Sequence, residues 1–428
     1  MEHTQKHIRN DAFPLKSEDI GDQTKHHHVS LTSHNLTIMA APTRIALIGL
    51  SSNAKAGWAS GAHLPYLLSP RGQAKFRIVA LLNSSVQAAK DAIATYNLPS
   101  PETIKAYGTP EDLASDPDVD LVVNSTRVDN HYKTILPSIQ KGKDVFVEWP
   151  LAHDIKHVRE LVELAKEKGQ RTVVGAQGRL GPLAQKLREV IDSGKIGKVV
   201  SSEVRASGGT NARDRVPVGL KYFTERKVGG NFYTIMGGHL MDMILSILGD
   251  YDATEEIQGS FHLQHPIQNI FDPATQEVVG TTKSDVPDLA MVQGRLQESE
   301  KVQKGAILSL QLRRGSPFPS EPALVWLIHG ERGAIRVVSH NSTNITIGTP
   351  NDAQVFEVLD YETTSVEKVE WAFEDWQEEL PRPARNIGAI YEEYAAVKEN
   401  GGKPRYQTFE QALKRHEQLD EPLSKWTA

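Results

Sequence analysis

The 428-residue sequence contains no cysteine. That absence excludes a disulfide framework, a thiolate-held zinc site, an iron–sulfur cluster and a cysteine nucleophile. No apolar run reaches the roughly 18 residues that a membrane-spanning helix needs. A basic excess is missing too: 48 Lys and Arg against 54 Asp and Glu leave a formal net charge of −6. Direct nucleic-acid contact therefore has no electrostatic support. No H-E-x-x-H, Walker A, G-x-S-x-G or basic–aromatic RNA motif occurs, and no metal site is expected. The first residues lack the basic start and apolar core of a secretory leader, and they are too acidic for a mitochondrial one. The cytoplasm is the expected compartment, with the nucleus open.

What is present divides the chain. Residues 1–40 hold six of the sixteen histidines, mixed charge and little periodic apolar content, and read as a disordered tail. Order is expected from Thr43, where Thr43–Gly49 is a short apolar run closed by glycine, the pattern of a strand buried on both faces. Similar runs follow at Arg77–Asn83, Val119–Ser125, Asp144–Glu148 and Arg171–Ala176, separated by helix-like stretches at Val86–Tyr96, His131–Lys141 and Ile155–Gly169. This alternation predicts βαβ units and a parallel, doubly wound sheet over residues 41–176. From Gln177 the rhythm changes. Helices are expected at Pro182–Ser193 and from Gly237, with strands at Val199–Ala206, Leu289–Leu296, Gly305–Leu312, Ala323–His329 and Ala334–Val338. Residues 177–380 thus read as an α+β domain with a large, mostly antiparallel open sheet, laid out as a meander. Residues 381–428 read as closing helices at Asn386–Lys398 and Thr408–Asp420 that pack back.

Ligands of open α/β sheets bind beyond the carboxyl ends of the strands. After the first strand comes Gly49-Leu50-Ser51, then Gly57-Trp58, Gly61 and His63, a glycine loop longer than the compact G-x-G-x-x-G. Glycines here allow backbone N–H groups to approach a pyrophosphate at a helix start. The second strand ends at Asn83-Ser84 rather than in the Asp or Glu that favours NAD. Neither side chain repels a 2′-phosphate and Lys90 stands nearby, so NAD or NADP is expected, with NADP slightly favoured. Ser125, Thr126, Arg127 and His131 follow the strand expected at Val119–Ser125, where ribose or pyrophosphate would lie.

The segment Val145-Phe-Val-Glu148-Trp149-Pro150 resembles the strand-end Glu-Lys-Pro signature of the Gfo/Idh/MocA oxidoreductases. The resemblance extends to Gly61–Pro65, to Gly237-Gly-His239-Leu-Met-Asp242 and to Ile328–Ile335, and covers roughly residues 43–420. Lys55-Ala-Gly57-Trp58, Glu148-Trp149 and Gln177-Gly178-Arg179 resemble most closely the branch of fungal galactose-regulon repressors, which bind a dinucleotide and mask a transcription activator. The resemblance implies a Rossmann domain holding NAD(P), a sugar- or polyol-like small-molecule substrate and a homodimer formed through the large sheet. It places Glu148 and Pro150 at the cofactor, His239 and Trp149 at the reacting centre, and Gln177, Arg179 and Tyr222 along the substrate cleft.

Two departures matter. Trp149 stands where the family's enzymes carry a proton-moving lysine, and Ile235 where they carry an aspartate four residues before the histidine. Trp149 either stacks on substrate or nicotinamide or fills the lysine's place. His239 either exchanges the substrate proton or merely packs. Lys221-Tyr222 is a further, weaker source of a proton. Two functions follow: an NAD(P)-dependent oxidoreductase with an atypical active site, or a non-catalytic co-regulator that binds a protein partner.

Overall fold

Alternation of buried apolar runs with amphipathic stretches produces six parallel strands at the start of the computed structural model, which describes residues 41–52, 57–208, 212–347 and 354–428. They are β1 (Thr43–Ile48), β2 (Phe76–Leu82), β3 (Lys105–Tyr107), β4 (Leu121–Asn124), β5 (Asp144–Val147) and β6 (Thr172–Val174), in the order β3-β2-β1-β4-β5-β6. This is the expected doubly wound Rossmann sheet. Its central strands are buried along both faces, as continuous apolar runs require. Strand β3 has no counterpart among the expected strands; three residues with an exposed lysine give no apolar run to read. The expectations for residues 1–40 and for Lys55 lie outside the described residues.

The remaining strands are β7 (Val199–Gly208), β8 (Arg215–Pro217), β9 (Gln258–His262), β10 (Ile267–Phe271), β11 (Val278–Lys283), β12 (Leu289–Arg295), β13 (Val302–Arg314), β14 (Leu324–Gly330), β15 (Gly333–Ser339), β16 (Gln354–Asp360) and β17 (Val366–Lys368). Eight of them form one mostly antiparallel sheet, β17-β16-β15-β14-β7-β13-β12-β9, and β11-β10-β8 form a small second one. The expected simple meander is corrected in one respect. Strand β7 is inserted between β13 and β14, antiparallel to β14 but parallel to β13. Alternation along β7, β13 and β14 buries Val204, Leu308, Leu310, Trp326 and Ile328 on one face. Glu203, Arg205, Met291, Gln311 and Leu327 line a shallow depression on the other. A strand of period two presents this pattern when only one sheet face is covered.

The covered face carries the helix Gly238–Leu248, nearly all of whose side chains are buried. Its Asp242 is 1% exposed. The carboxylate accepts two hydrogen bonds from Arg179, at 2.9 and 2.5 Å, and one from Gln407 Nε2 at 2.7 Å. Gln407 also bridges to β6: its carbonyl accepts from Val174 N at 2.8 Å, which covers the edge of the parallel sheet. The two C-terminal helices, Arg382–Asn400 and Phe409–Ser424, pack back on both halves. Tyr391 stacks on Tyr66, beside β2. Removing one member of a buried ion pair leaves an uncompensated charge and costs about 3–5 kcal/mol. Asp242→Ala should therefore lower unfolding stability by about that amount in urea titrations, against less than about 1 kcal/mol for Asp91→Ala at an exposed helix position.

Candidate active site

Strand order reverses between β1 and β4, so the loops leaving their carboxyl ends border a crevice. Gly49 begins the first loop at φ +96°, a conformation L side chains avoid, and a Cβ there would stand 2.6 Å from the carbonyl oxygen of Ser125. Glycine is thus required both by the backbone angle and by the approach of the two loops. Across the crevice, Ser125 Oγ is buried without a hydrogen-bond partner among the described residues, and so is Trp58 Nε1. Orphaned buried donors of this kind call for a ligand. After Gly57 the chain enters a helical segment, Ala59–Leu68, whose first turn is a π-turn. A glycine-held loop, two unpartnered polar groups and a helix start together fit a dinucleotide's phosphates and ribose.

Other expected cofactor residues shape this crevice. Asn83 Nδ2 donates to the carbonyl of Leu50 at 2.8 Å, and so anchors the glycine loop. Ser84 is exposed beside it. Tyr96 OH donates to Ser51 O at 2.9 Å, and Thr126 Oγ1 to Asn124 Oδ1 at 2.9 Å. His131 lies inside: its two ring nitrogens face the carbonyl oxygens of Thr126 and Pro150, each at 2.9 Å. Burial lowers its pKa while both carbonyls oppose the shift. His131 is therefore a strut between two loops, with neither nitrogen turned toward a ligand.

The residues expected at the reacting centre lie past β5. Glu148 is buried, and its Oε1 meets His63 Nε2 at 2.9 Å, while His63 Nδ1 meets Tyr391 OH at 2.9 Å. A Cβ on Gly175 would stand 2.5 Å from the Glu148 carboxyl, so a side chain there would displace that group from its place beside His63. Trp149 is 5% exposed. Its Nε1 donates to Thr234 O at 2.8 Å, its ring lies 4.6 Å from that of His416, and a Cβ on Gly238 would reach its Nε1 at 2.5 Å. The indole is thus enclosed, with its single N–H committed. His416, half-buried, accepts from Leu151 N at 3.1 Å, and desolvation pushes its pKa down to about 3.

His239 opens the helix that Asp242 anchors one turn later. It is half-buried, its Nδ1 has no hydrogen-bond partner, and burial lowers its pKa against the opposing pull of Glu148 and Asp242. Gln177 is 1% exposed, with an unpartnered Oε1. Arg179, the expected substrate contact, turns instead into the interior, held by Asp242 and by Gln411 Oε1 at 2.7 Å. Tyr222 sits under the Arg127 guanidinium, 5.3 Å from ring centre to Cζ. The sequence reading missed His63, Tyr391, Thr234 and His416. Only His63 had a signal, its place in the glycine loop. His153, Asp154 and His157 bring ligand-type atoms within 4.8 Å of one another. Asp154 caps the helix Ile155–Lys168 there, through His157 N, and the group is half-open to solvent.

Comparison with known proteins agrees with the fold. Residues 43–176 match the Gfo/Idh/MocA model, described as an oxidoreductase family with an NAD-binding Rossmann fold. Residues 182–339 match the C-terminal domain of Gal80p. A dehydrogenase named aclE from Aspergillus oryzae is 27% identical over 304 residues, covering 70% of this chain and 77% of its own length. The galactose/lactose metabolism regulatory protein GAL80 of Saccharomyces cerevisiae is 28% identical over 305 residues, covering 70% and 67%. A crystal structure of a super-repressor mutant of that yeast Gal80p superposes with TM-score 0.77 at 23% identity, over 91% of this chain and 98% of the other. The likeness in structure establishes the shared fold. Gly49→Ala should abolish dinucleotide binding measured by fluorescence quenching, and should cost about 1–3 kcal/mol of stability through the strained φ and the Ser125 carbonyl.

Proposed function

We propose that this chain, a member of the Gfo/Idh/MocA oxidoreductase family near its Gal80 branch, is a nicotinamide-dinucleotide oxidoreductase in which His239 moves the proton. Its substrate would offer a hydroxyl or carbonyl of a sugar-like or secondary-metabolite molecule. The observation that carries this reading is the free Nδ1 of His239, half-buried near Glu148 in a centre where Trp149 has no proton to give. The dinucleotide, when bound, supplies the hydride chemistry. Gly49, Leu50, Ser51, Gly57, Trp58, Ser125 and Thr126 would hold it, Asn83 and Ser84 would leave room for a 2′-phosphate, and Glu148 with Pro150 would border the nicotinamide. His239 would take the hydroxyl proton during oxidation, with Gln177 and Tyr222 along the substrate. We place the protein in the cytoplasm, as a homodimer joined through the open sheet face.

A second reading is favoured by one observation: the enclosed Trp149 removes the family's proton carrier altogether. In that reading the chain is a regulator that binds a protein partner, with the dinucleotide as its signal. Single-turnover nicotinamide absorbance with a panel of sugars, polyols and ketones separates the two. Turnover supports the first reading. Tight cofactor binding without turnover, together with capture of an acidic activation-type peptide, supports the second.

His239 also fixes a pH dependence. Its pKa is lowered, so it stays neutral and able to accept a proton at pH values where an ordinary histidine, near 6.5, is half-charged. Oxidation kcat/KM should therefore hold level as pH falls through about 6.5 and decline only below it. His239→Asn should lower it about 10²–10⁴-fold and remove that acid limb. A wild-type limb at or above the ordinary histidine value would overturn the assignment.

A further inference from the structure

At the far end of the His239 helix lies a second, separate pocket. Arg179, Arg188, Arg405, Lys414 and Arg415 surround a cavity of about 320 Å³, closed on one side by Leu245 and Pro404. These cations come from distant parts of the chain: the turn after β6, the helix Pro182–Asp192, the segment before Gln407 and the final helix. Leu245 lies six residues beyond His239, about 9 Å along the helix axis, so the cavity is not the cofactor crevice.

The charges do not cancel. Arg179 is paired with Asp242, and Arg405 with Glu393 at 2.6 Å. Asp250 is shared, 2.9 Å from Lys414 and 3.2 Å from Arg415. Arg188 has no carboxylate within 4.0 Å among the described residues; its contacts are with Ser246 O and Oγ, both at 3.4 Å. Asp192, one turn along its helix, pairs with Lys301. Five cations thus meet three carboxylates, and two positive charges remain. Arg415 is incompletely paired as well. Its side chain is 4% exposed, yet its Nε–H makes no hydrogen bond and stands 3.6 Å from Asp242 Oδ1. Burial chiefly, with the nearby Arg179 and Arg405 charges, lowers the pKa of Arg188 against the opposing pull of Asp192.

We propose that this pocket binds a small dianion bearing a phosphate group, clamped by Arg188, Lys414 and Arg415. Guanidinium forks match the paired oxygens of a phosphate, and two surplus charges match its two negative ones. The cavity exceeds a bare phosphate in volume, which leaves space for a small organic group against Leu245 and Pro404. A ligand there would bridge four segments of the chain, and so stabilise the fold by linkage. The inference is independent of whether His239 moves a proton.

The test is isothermal titration of the full chain, saturated with dinucleotide, at about pH 8, where phosphomonoesters are dianionic. Inorganic phosphate and glycerol phosphate are the probes, with chloride at equal ionic strength as control. Saturable binding and a raised melting temperature are expected from a phosphate probe and not from chloride. Tighter binding of glycerol phosphate identifies an ester as the natural ligand, and equal or tighter binding of inorganic phosphate identifies the free ion. Arg188→Gln should weaken binding about tenfold or more, since a charge-assisted contact is lost. Lys414→Gln, at a half-exposed position that tolerates change, should weaken it in the same direction if the arginine variant does not fold. No saturable heat from either probe, or unchanged affinity in the folded variants, would overturn the proposal.

Discussion

The buried carboxylate of Asp242 is the constraint on which the two halves of the molecule depend. Three of its hydrogen bonds come from Arg179 and Gln407, the first just after the parallel sheet and the second on the strand-like segment that covers the edge of that sheet. A charge this deep is tolerated only when its partners are complete, so each partner's position is fixed by the others. Lateral slip of the helix Gly238–Leu248 would break all three bonds at once. Its rotation is thereby set, and with it the direction of His239 one turn earlier.

That fixed helix explains how the tryptophan is accommodated. The indole of Trp149 fits because residue 238 has no Cβ. Gly238 N–H donates to Ile235 O, and Thr234 O receives the indole N–H. The π-turn preceding residue 238 is therefore part of the site. On the opposite side, Glu148 is held by His63, and His63 by Tyr391 from the C-terminal helix. Elements far apart in sequence thus arrange a small set of side chains around the strand end where β5 stops.

The legible part of this design is the part carried by local pattern. Strands β1, β2, β4, β5 and β6 announce themselves as apolar runs, and Gly49 as the turn that follows the first. Strand β3 does not, because three residues with little burial leave no periodic signal. The place of β7 between β13 and β14 is equally hidden, since strand order in a sheet is a long-range property. At the site, a local motif points to Glu148, Trp149 and His239 but says nothing of burial. The same motif logic put Arg179 in the cleft. Its partner Asp242 lies 63 positions away, and only packing shows that the guanidinium faces inward. His416 lies beyond reach of any motif.

Tryptophan suits its surroundings at residue 149 better than the lysine that the Glu-Lys-Pro resemblance would place there. A lysine at residue 149 would have to keep a charged amine in a space bounded by Gly238, His416 and apolar side chains, and its desolvation would lower its pKa toward the neutral amine. The indole fills that space and satisfies its one donor. The gain is therefore in packing, and the loss is confined to proton transfer. The glycine loop and the β4 loop, where we propose that a dinucleotide binds, need neither residue, so in that proposal cofactor binding and proton chemistry are separable. In the proposed reading the first rests on backbone geometry that tolerates little change. The second would fall to His239, whose place on the Asp242-anchored helix is the same whether it faces a substrate alcohol or a partner's side chain.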